Sequence, residues 1–327
     1  MILLCYGTRP EWIKIKPLIK AFEDKVPYRL LFTGQHADIS GGWYHDKLKI
    51  TEGTNRLDSI FSSVMNNINF DGVNNVLVQG DTATCLAVGL SAFNHKVPVI
   101  HLEAGLRTYD LNHPYPEEGY RQMLSRITDI HLCPTKTAKV HLLRDSVGGD
   151  IHVVGNTVLD NLVGIETSYG DEVLVTIHRR ENHHIIDEWM GELDKLDEKI
   201  TVIRHPNPVV MDAVDKLKNV NVIDPLPHDE MIKRIANCKF LITDSGGLQE
   251  EGSFFNKKII ICRETTERPE VLEHHGVLCT DPKNLGGLVE SIKNQYILDK
   301  PCPFGDGKTS QKIMKIIMKN NRSENVN

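Results

Sequence analysis

Short apolar runs alternate with amphipathic stretches along the whole chain. Runs rich in Val, Ile and Leu at 2–6, 28–33, 76–79, 97–101, 129–133 and 151–154 predict strands. Between them, 12–22, 84–93 and 136–143 carry apolar residues at helical spacing. The scheme repeats with strand-like runs at 173–177, 201–204, 220–223, 240–243 and 258–262. Near-continuous apolar strands with helices between them predict parallel sheets covered on both faces. Two such series predict an α/β protein of two Rossmann-like domains. Gly164, Thr167, Ser168 and Gly170 interrupt the pattern within 162–171. The expected domains are therefore residues 1–163 and 164–305, with a helix in 306–327 rejoining the first domain. Ile313, Ile316 and Ile317 give that last helix its apolar face, while 320–327 are polar and expected to fray.

Composition narrows the function classes. A chain of 327 residues, 40% hydrophobic and 25% charged, is not disordered, collagen-like or a disulfide-stapled miniprotein. A net charge of −6 argues against a general nucleic-acid partner. No apolar run approaches the roughly 20 residues of a membrane-spanning helix, so no membrane partner is expected. Met1-Ile2-Leu3-Leu4 shows no basic segment leading into an apolar one. The seven cysteines are scattered without a C-x-x-C pair, which suits buried thiols and a cytoplasmic protein.

The polar residues follow the strands. In open parallel sheets ligands bind beyond the carboxyl ends of the strands. There this chain carries Gly7-Thr8-Arg9-Pro10-Glu11, Thr33-Gly34-Gln35-His36, Gly80-Asp81-Thr82 and Glu103-Ala104-Gly105-Leu106-Arg107-Thr108. The second half adds His178-Arg179-Arg180-Glu181-Asn182, His205-Pro206 and Asp244-Ser245-Gly246-Gly247. The segment from Asp244 to Glu251 is the best phosphate candidate, because a strand ends, two glycines permit close approach and a helix begins. A plain helix start with Ser245 as N-cap fits the same residues. Arg9, Arg263 and Arg268 suit a diphosphate, although isolated arginines more often form surface ion pairs. Asp81, Glu103 and Glu117 suit acid/base chemistry if they crowd one cleft; singly, each suits a helix cap or a salt bridge. His178 suits either a functional or a hydrogen-bonded structural role.

Other patterns fail. Gly305-Asp306-Gly307-Lys308-Thr309 lacks the first glycine of a P-loop, where Cys302 stands, and no strand precedes it. Gly7 has no partners for a dinucleotide fingerprint, and His183-His184 and His274-His275 lack metal-ligand spacing. There is no G-x-S-x-G elbow.

In order along the chain, these segments resemble the non-hydrolysing UDP-N-acetylglucosamine 2-epimerases. The resemblance runs from Gly7–Glu11 and Pro17 through 33–36, 79–82 and 101–108. It continues through Pro116-Glu117-Glu118, Arg121, Gly155-Asn156-Thr157 and 176–182 to 244–251 and 263–270. It implies a glycosyltransferase-B-like fold with the active site in the interdomain cleft, a homodimer, and a UDP-sugar substrate. The implied reaction inverts carbon 2, eliminating UDP to 2-acetamidoglucal and adding it back, with neither NAD nor metal as cofactor. By this resemblance Asp81, Glu103 and Glu117 are the acid/base carboxylates, and His178 stabilises the leaving diphosphate. Arg9, Ser245, Gly246 and Gly247 would hold the phosphates and Glu251 the ribose hydroxyls. Arg268 would be a further nucleotide or substrate contact, His205 and the backbone near Met231 would lie by the uracil, and Lys14 and Arg121 would line the cleft.

The chain departs from the family pattern after His36, where 37–42 do not match the usual continuation. His183-His184 stand where a glycine is common, and the stretches 182–199 and 147–171 are short for the family. The alternatives are a hydrolysing relative releasing free N-acetylmannosamine, and an epimerase of a related UDP-diacetamido sugar. A glycosyltransferase and an inactive UDP-sugar-binding module are more distant.

Overall fold

The computed structural model describes residues 1–39 and 42–324. Ser40 and Gly41, in the segment that departs from the family pattern, and residues 325–327 lie outside the described residues. The chain divides into two compact units, Met1–Asn161 with Gly305–Asn327, and Leu162–Phe304.

The first unit holds a sheet of strands β1 (Ile2–Tyr6), β2 (Tyr28–Phe32), β3 (Asp46–Lys47), β4 (Asn75–Gln79), β5 (Val99–Leu102), β6 (Ile130–Cys133) and β7 (Asp150–Val153). They pair in parallel in the order β3-β2-β1-β4-β5-β6-β7. Helices α1 (Arg9–Phe22), α2 (Arg56–Asn67), α3 (Ala83–Asn94), α4 (Glu117–Ser125) and α5 (Lys136–Arg144) fill the crossovers. Successive side chains of a strand face opposite sides, and β1 shows the consequence. Ile2, Leu4 and Tyr6 join one core with Trp12, Ile15, Leu18 and Phe22 of α1, while Leu3 and Cys5 join another with residues of α2 and α3.

Helix α1 begins where Thr8 and Glu11 form a capping box. The C-terminal helix, Thr309–Glu324, places Ile313 and Ile317 in the core that α1 also fills. Asp160 caps it by accepting from the Thr309 and Ser310 N–H groups at 2.9 and 2.6 Å. The helix spans residues through Glu324.

The second unit holds strands β8 (Glu172–Thr176), β9 (Lys199–Ile203), β10 (Asn221–Ile223), β11 (Phe240–Thr243), β12 (Ile259–Ile261) and β13 (Gly276–Leu278), all parallel, in the order β10-β9-β8-β11-β12-β13. Its helices are α6 (Ile186–Leu193), α7 (Pro208–Val214), α8 (His228–Asn237), α9 (Gly246–Phe254) and α10 (Leu285–Ile292). Val173, Val175, Phe240 and Ile242 pack on Trp189, Val210 and Val289 from α6, α7 and α10. On the opposite side α9 lies close: a Cβ on Gly252 would stand 2.6 Å from a Leu241 methyl.

One glycine of the first unit is fixed by both backbone and space. Gly105 has φ +89°, and a Cβ there would stand 2.2 Å from the Ala138 carbonyl oxygen, where α5 presses on the segment after β5. Gly105→Ala combines left-handed strain with overpacking against backbone, together on the order of 3 kcal/mol. A lowered denaturant midpoint is the expected result; an unchanged one would show that α5 yields freely.

Candidate functional site

In the first unit the ends of β4 and β5 carry paired carboxylates. Asp81 follows β4, and both Nε and Nη2 of Arg121 reach its Oδ2, at 2.8 and 2.6 Å. Glu103 follows β5 in a left-handed conformation, φ +68°. Its carboxylate is buried, lies 2.5 Å from Lys14 Nζ of α1 and accepts from the Gln79 amide. Glu117 is the first residue of α4, and Arg9 the first of α1, with its side chain exposed. The Arg9 N–H donates to His36 Nδ1 at 3.3 Å, which ties the first motif to the second.

Glu11 underlies this arrangement. It accepts from the Gly7 and Thr8 N–H groups at 2.8 and 2.7 Å and from Thr82 Oγ1 at 2.6 Å, so it links the first motif to the residue after Asp81. Burial pushes its carboxyl pKa up, against the pull of these donors. Asp81 and Arg121 are thus brought together, as are Glu103 and Lys14. A bidentate guanidinium fixes an oxygen's direction as well as its charge.

The second unit presents a helix start suited to an anion. Ser245 stands at the N-cap of α9, but its hydroxyl makes no cap hydrogen bond, which departs from the plain helix-start reading. Gly246 and Gly247 are the first helical residues, and the opening N–H groups of a helix have no intrahelical acceptor. Arg268 lies against this turn: a Cβ on Gly246 would meet its Nη1 at 2.5 Å, and its Nε donates to Glu250 at 2.5 Å. Glu251, on the same helix, accepts from His228 Nε2 at 3.2 Å, and Met231 lies one turn on from His228 along α8.

His178 follows β8 and His205 follows β9, with rings stacked at 4.7 Å and 7° apart. Burial lowers the pKa of both, only partly opposed by Asp244, so the neutral ring is favoured. Asp244 is fully buried and accepts from the N–H groups of His178 and Arg179 and from the Asn182 amide at 2.8, 2.7 and 3.0 Å. That clamps the histidine-bearing loop to the strand end that begins α9.

Beside it lies a buried charge network. Arg263 binds Glu181 and Glu267 at 2.6 and 2.7 Å, with Arg179 3.8 Å from Glu267. Burial alone would raise the Glu267 pKa, but Arg263 and its neighbours hold it well below the usual range. Burial and the Arg263 charge lower the pKa of Arg179, which marks a desolvated cation that an incoming anion would stabilise.

Glu11, Gln79, Asp244, Glu250 and Glu267 stand inside the motifs with no role of their own assigned there, and His228 lies outside every motif. Glu11 had a local signal in the T-x-x-E spacing after Thr8. Gln79, Asp244, Glu250 and His228 are set by pairings distant in sequence, whereas Glu267 meets Arg263 within one helical turn's spacing. Among the described residues no three His, Cys, Asp or Glu side chains stand together as a metal-ion site, and no helix is long and apolar enough to cross a membrane.

The comparisons agree with the fold and the motifs. The UDP-N-acetylglucosamine 2-epimerase family model matches residues 20–318. A UDP-N-acetylglucosamine 2-epimerase of Salmonella borreze is 33% identical over 365 positions, covering 96% of this chain and 97% of its own. The Neisseria meningitidis UDP-GlcNAc 2-epimerase, solved bound to UDP-GlcNAc, gives a TM-score of 0.86 at 28% identity, covering 97% of this chain and 99% of its own. The Methanocaldococcus jannaschii enzyme, in complex with UDP-GlcNAc and UDP, gives 0.83 at 28% identity and the same coverage. A family match across most of the chain, joined to two parallel α/β sheets, leads to one assignment: this chain belongs to the UDP-N-acetylglucosamine 2-epimerase family.

Proposed function

We propose that this protein is a non-hydrolysing UDP-N-acetylglucosamine 2-epimerase, interconverting UDP-GlcNAc and UDP-ManNAc. The C2 proton is not acidic, because C2 bears an amide nitrogen rather than adjoining a carbonyl. One carboxylate takes that proton as the C1–O bond to UDP breaks, leaving 2-acetamidoglucal and UDP. A second carboxyl group delivers a proton to the opposite face of C2, and the UDP oxygen re-forms the bond to C1.

Asp81, Glu103 and Glu117 supply the acid/base groups in this reading. Lys14 beside Glu103 and Arg121 beside Asp81 hold two of them in place. The start of α9, with Ser245, Gly246, Gly247 and Arg268, holds the diphosphate, assisted by Arg9 and His178. Glu251 takes the ribose, and His205 and the Met231 backbone take the uracil. Neither NAD nor a metal is required by this chemistry; the resemblance implies a homodimer, and the scattered cysteines suit the cytoplasm.

The observation that carries the proposal is the pair of cation-held carboxylates, Asp81 and Glu103, at adjacent strand ends in a member of this family. Proton NMR with UDP-GlcNAc in deuterated water, without added NAD or metal, tests it. UDP-ManNAc carrying deuterium at C2 is the expected product. Free N-acetylmannosamine with UDP would place the chain among the hydrolysing enzymes, and no product at all would overturn UDP-GlcNAc as substrate.

A further inference from the structure

Glu118 carries no step of the proposed reaction, yet its carboxylate is fully buried and surrounded by donors. Oε2 accepts from the Thr108 N–H and from Arg121 Nη1, each at 3.0 Å. Oε1 accepts from the Tyr109 N–H at 3.1 Å and from the Gln122 amide at 2.9 Å. As a first-turn acid Glu118 would suit its own helix dipole from the surface. Its oxygens instead tie the segment after β5 to the guanidinium that grips Asp81.

We propose that Glu118 is a positioning residue for the carboxylates, acting through Arg121. Arg121 spends one nitrogen on Glu118 and two on Asp81, so Glu118 fixes the plane in which Asp81 is held. Glu118 also anchors the chain beside Glu117, its neighbour in sequence, to the loop at Thr108 and Tyr109. This inference rests on the reading of Asp81 as an acid/base group.

Glutamine substitutes poorly. Its NH2 group would face either the Thr108 N–H and Arg121, or the Tyr109 N–H with Gln122 turned to accept, so at least one donor opposes it in each orientation. Glu118→Gln, in the full chain, is therefore expected to lower kcat at least tenfold. KM and the UDP dissociation constant should stay within twofold. The ratio of C2 deuterium wash-in to net epimerisation should also shift, because a displaced base affects one face of the sugar more than the other. A general loss of folded protein would lower both rates equally.

Glu118→Asp keeps the charge but withdraws it by one methylene, and its kcat should fall between wild type and Glu118→Gln. Wild-type kcat in either folded variant, or an unaltered exchange ratio, would overturn the proposal. Failure of both variants to fold would make Glu118 a folding residue only and overturn it as well. Asp81→Asn is measured alongside: normal turnover there would remove the reading beneath the proposal, whatever Glu118 does.

Discussion

Asp81→Asn and Glu103→Gln are each expected to lower kcat by roughly 10²–10⁴, the range for loss of a positioned acid or base. UDP affinity should remain close to wild type in both, since neither carboxylate is among the groups proposed to hold UDP. The two variants differ in what they leave behind. In Asp81→Asn the Arg121 guanidinium keeps Glu118, so its charge remains paired. In Glu103→Gln the Lys14 ammonium loses the carboxylate it contacts, and the Gln79 amide meets an amide in place of an anion. Breaking one side of a buried ion pair is costly, so Glu103→Gln should also lower the melting temperature, and Asp81→Asn should lower it less. Turnover, calorimetric UDP binding and thermal melts on the same samples separate the cases. Loss of UDP binding together with folding would assign the carboxylates to structure and remove them from the chemistry.

Much of this arrangement is legible in the sequence because it obeys local rules. A strand buried on both faces must be apolar, and β1, β4, β6 and β11 stand within a residue or two of the apolar runs that predict them. The paired strand β3 is only two residues long, Asp46–Lys47, and exposed, so it carries no apolar signal. Strand β13 is three residues with a glycine at its start, and it too was missed. Helix α2 carries Leu57, Ile60, Phe61 and Val64 at helical spacing against the core, so apolar periodicity marks it too, although the strand-and-helix pattern read above does not include it.

The site divides in the same way. Asp81, Glu103, His178 and Ser245 are legible because strand ends in parallel sheets are where ligands meet the chain. Their partners are not legible. Arg121 reaches Asp81 across 40 residues and Lys14 reaches Glu103 across 89, so only the folded sheet brings the charges together. The acids Glu118 and Asp244 stand inside motifs, but nothing in the sequence marks them as buried. Burial with several donors each gives them their role.

Acid should weaken the fold through His101, which lies beside the strand end that carries Asp81. His101 lies on β5, fully buried, and its Nε2–H donates to the Gly80 carbonyl at 2.7 Å. Burial above all, with His131 and Arg107, lowers its pKa to about 3 against the opposing Gly80 bond and Asp81. His131, its register partner on β6, is also lowered by burial. A histidine whose folded pKa lies below its unfolded value of about 6.5 contributes stability that is fully present above that pH. As pH falls below about 6.5 the unfolded chain takes up the proton first, and stability falls by about 1.4 kcal/mol per pH unit for each such group. The loss from His101 continues until its folded pKa near 3 is reached. His101→Gln keeps an amide N–H for the Gly80 carbonyl and removes the titration. Urea unfolding between pH 5 and 6 should therefore show a slope shallower by about one proton in the variant. Equal slopes would show that His101 is already protonated in the fold. Because Gly80 precedes Asp81, a neutral His101 also keeps a positive charge out of the core beneath the proposed acid/base carboxylate, and Arg121 holds that carboxylate's direction.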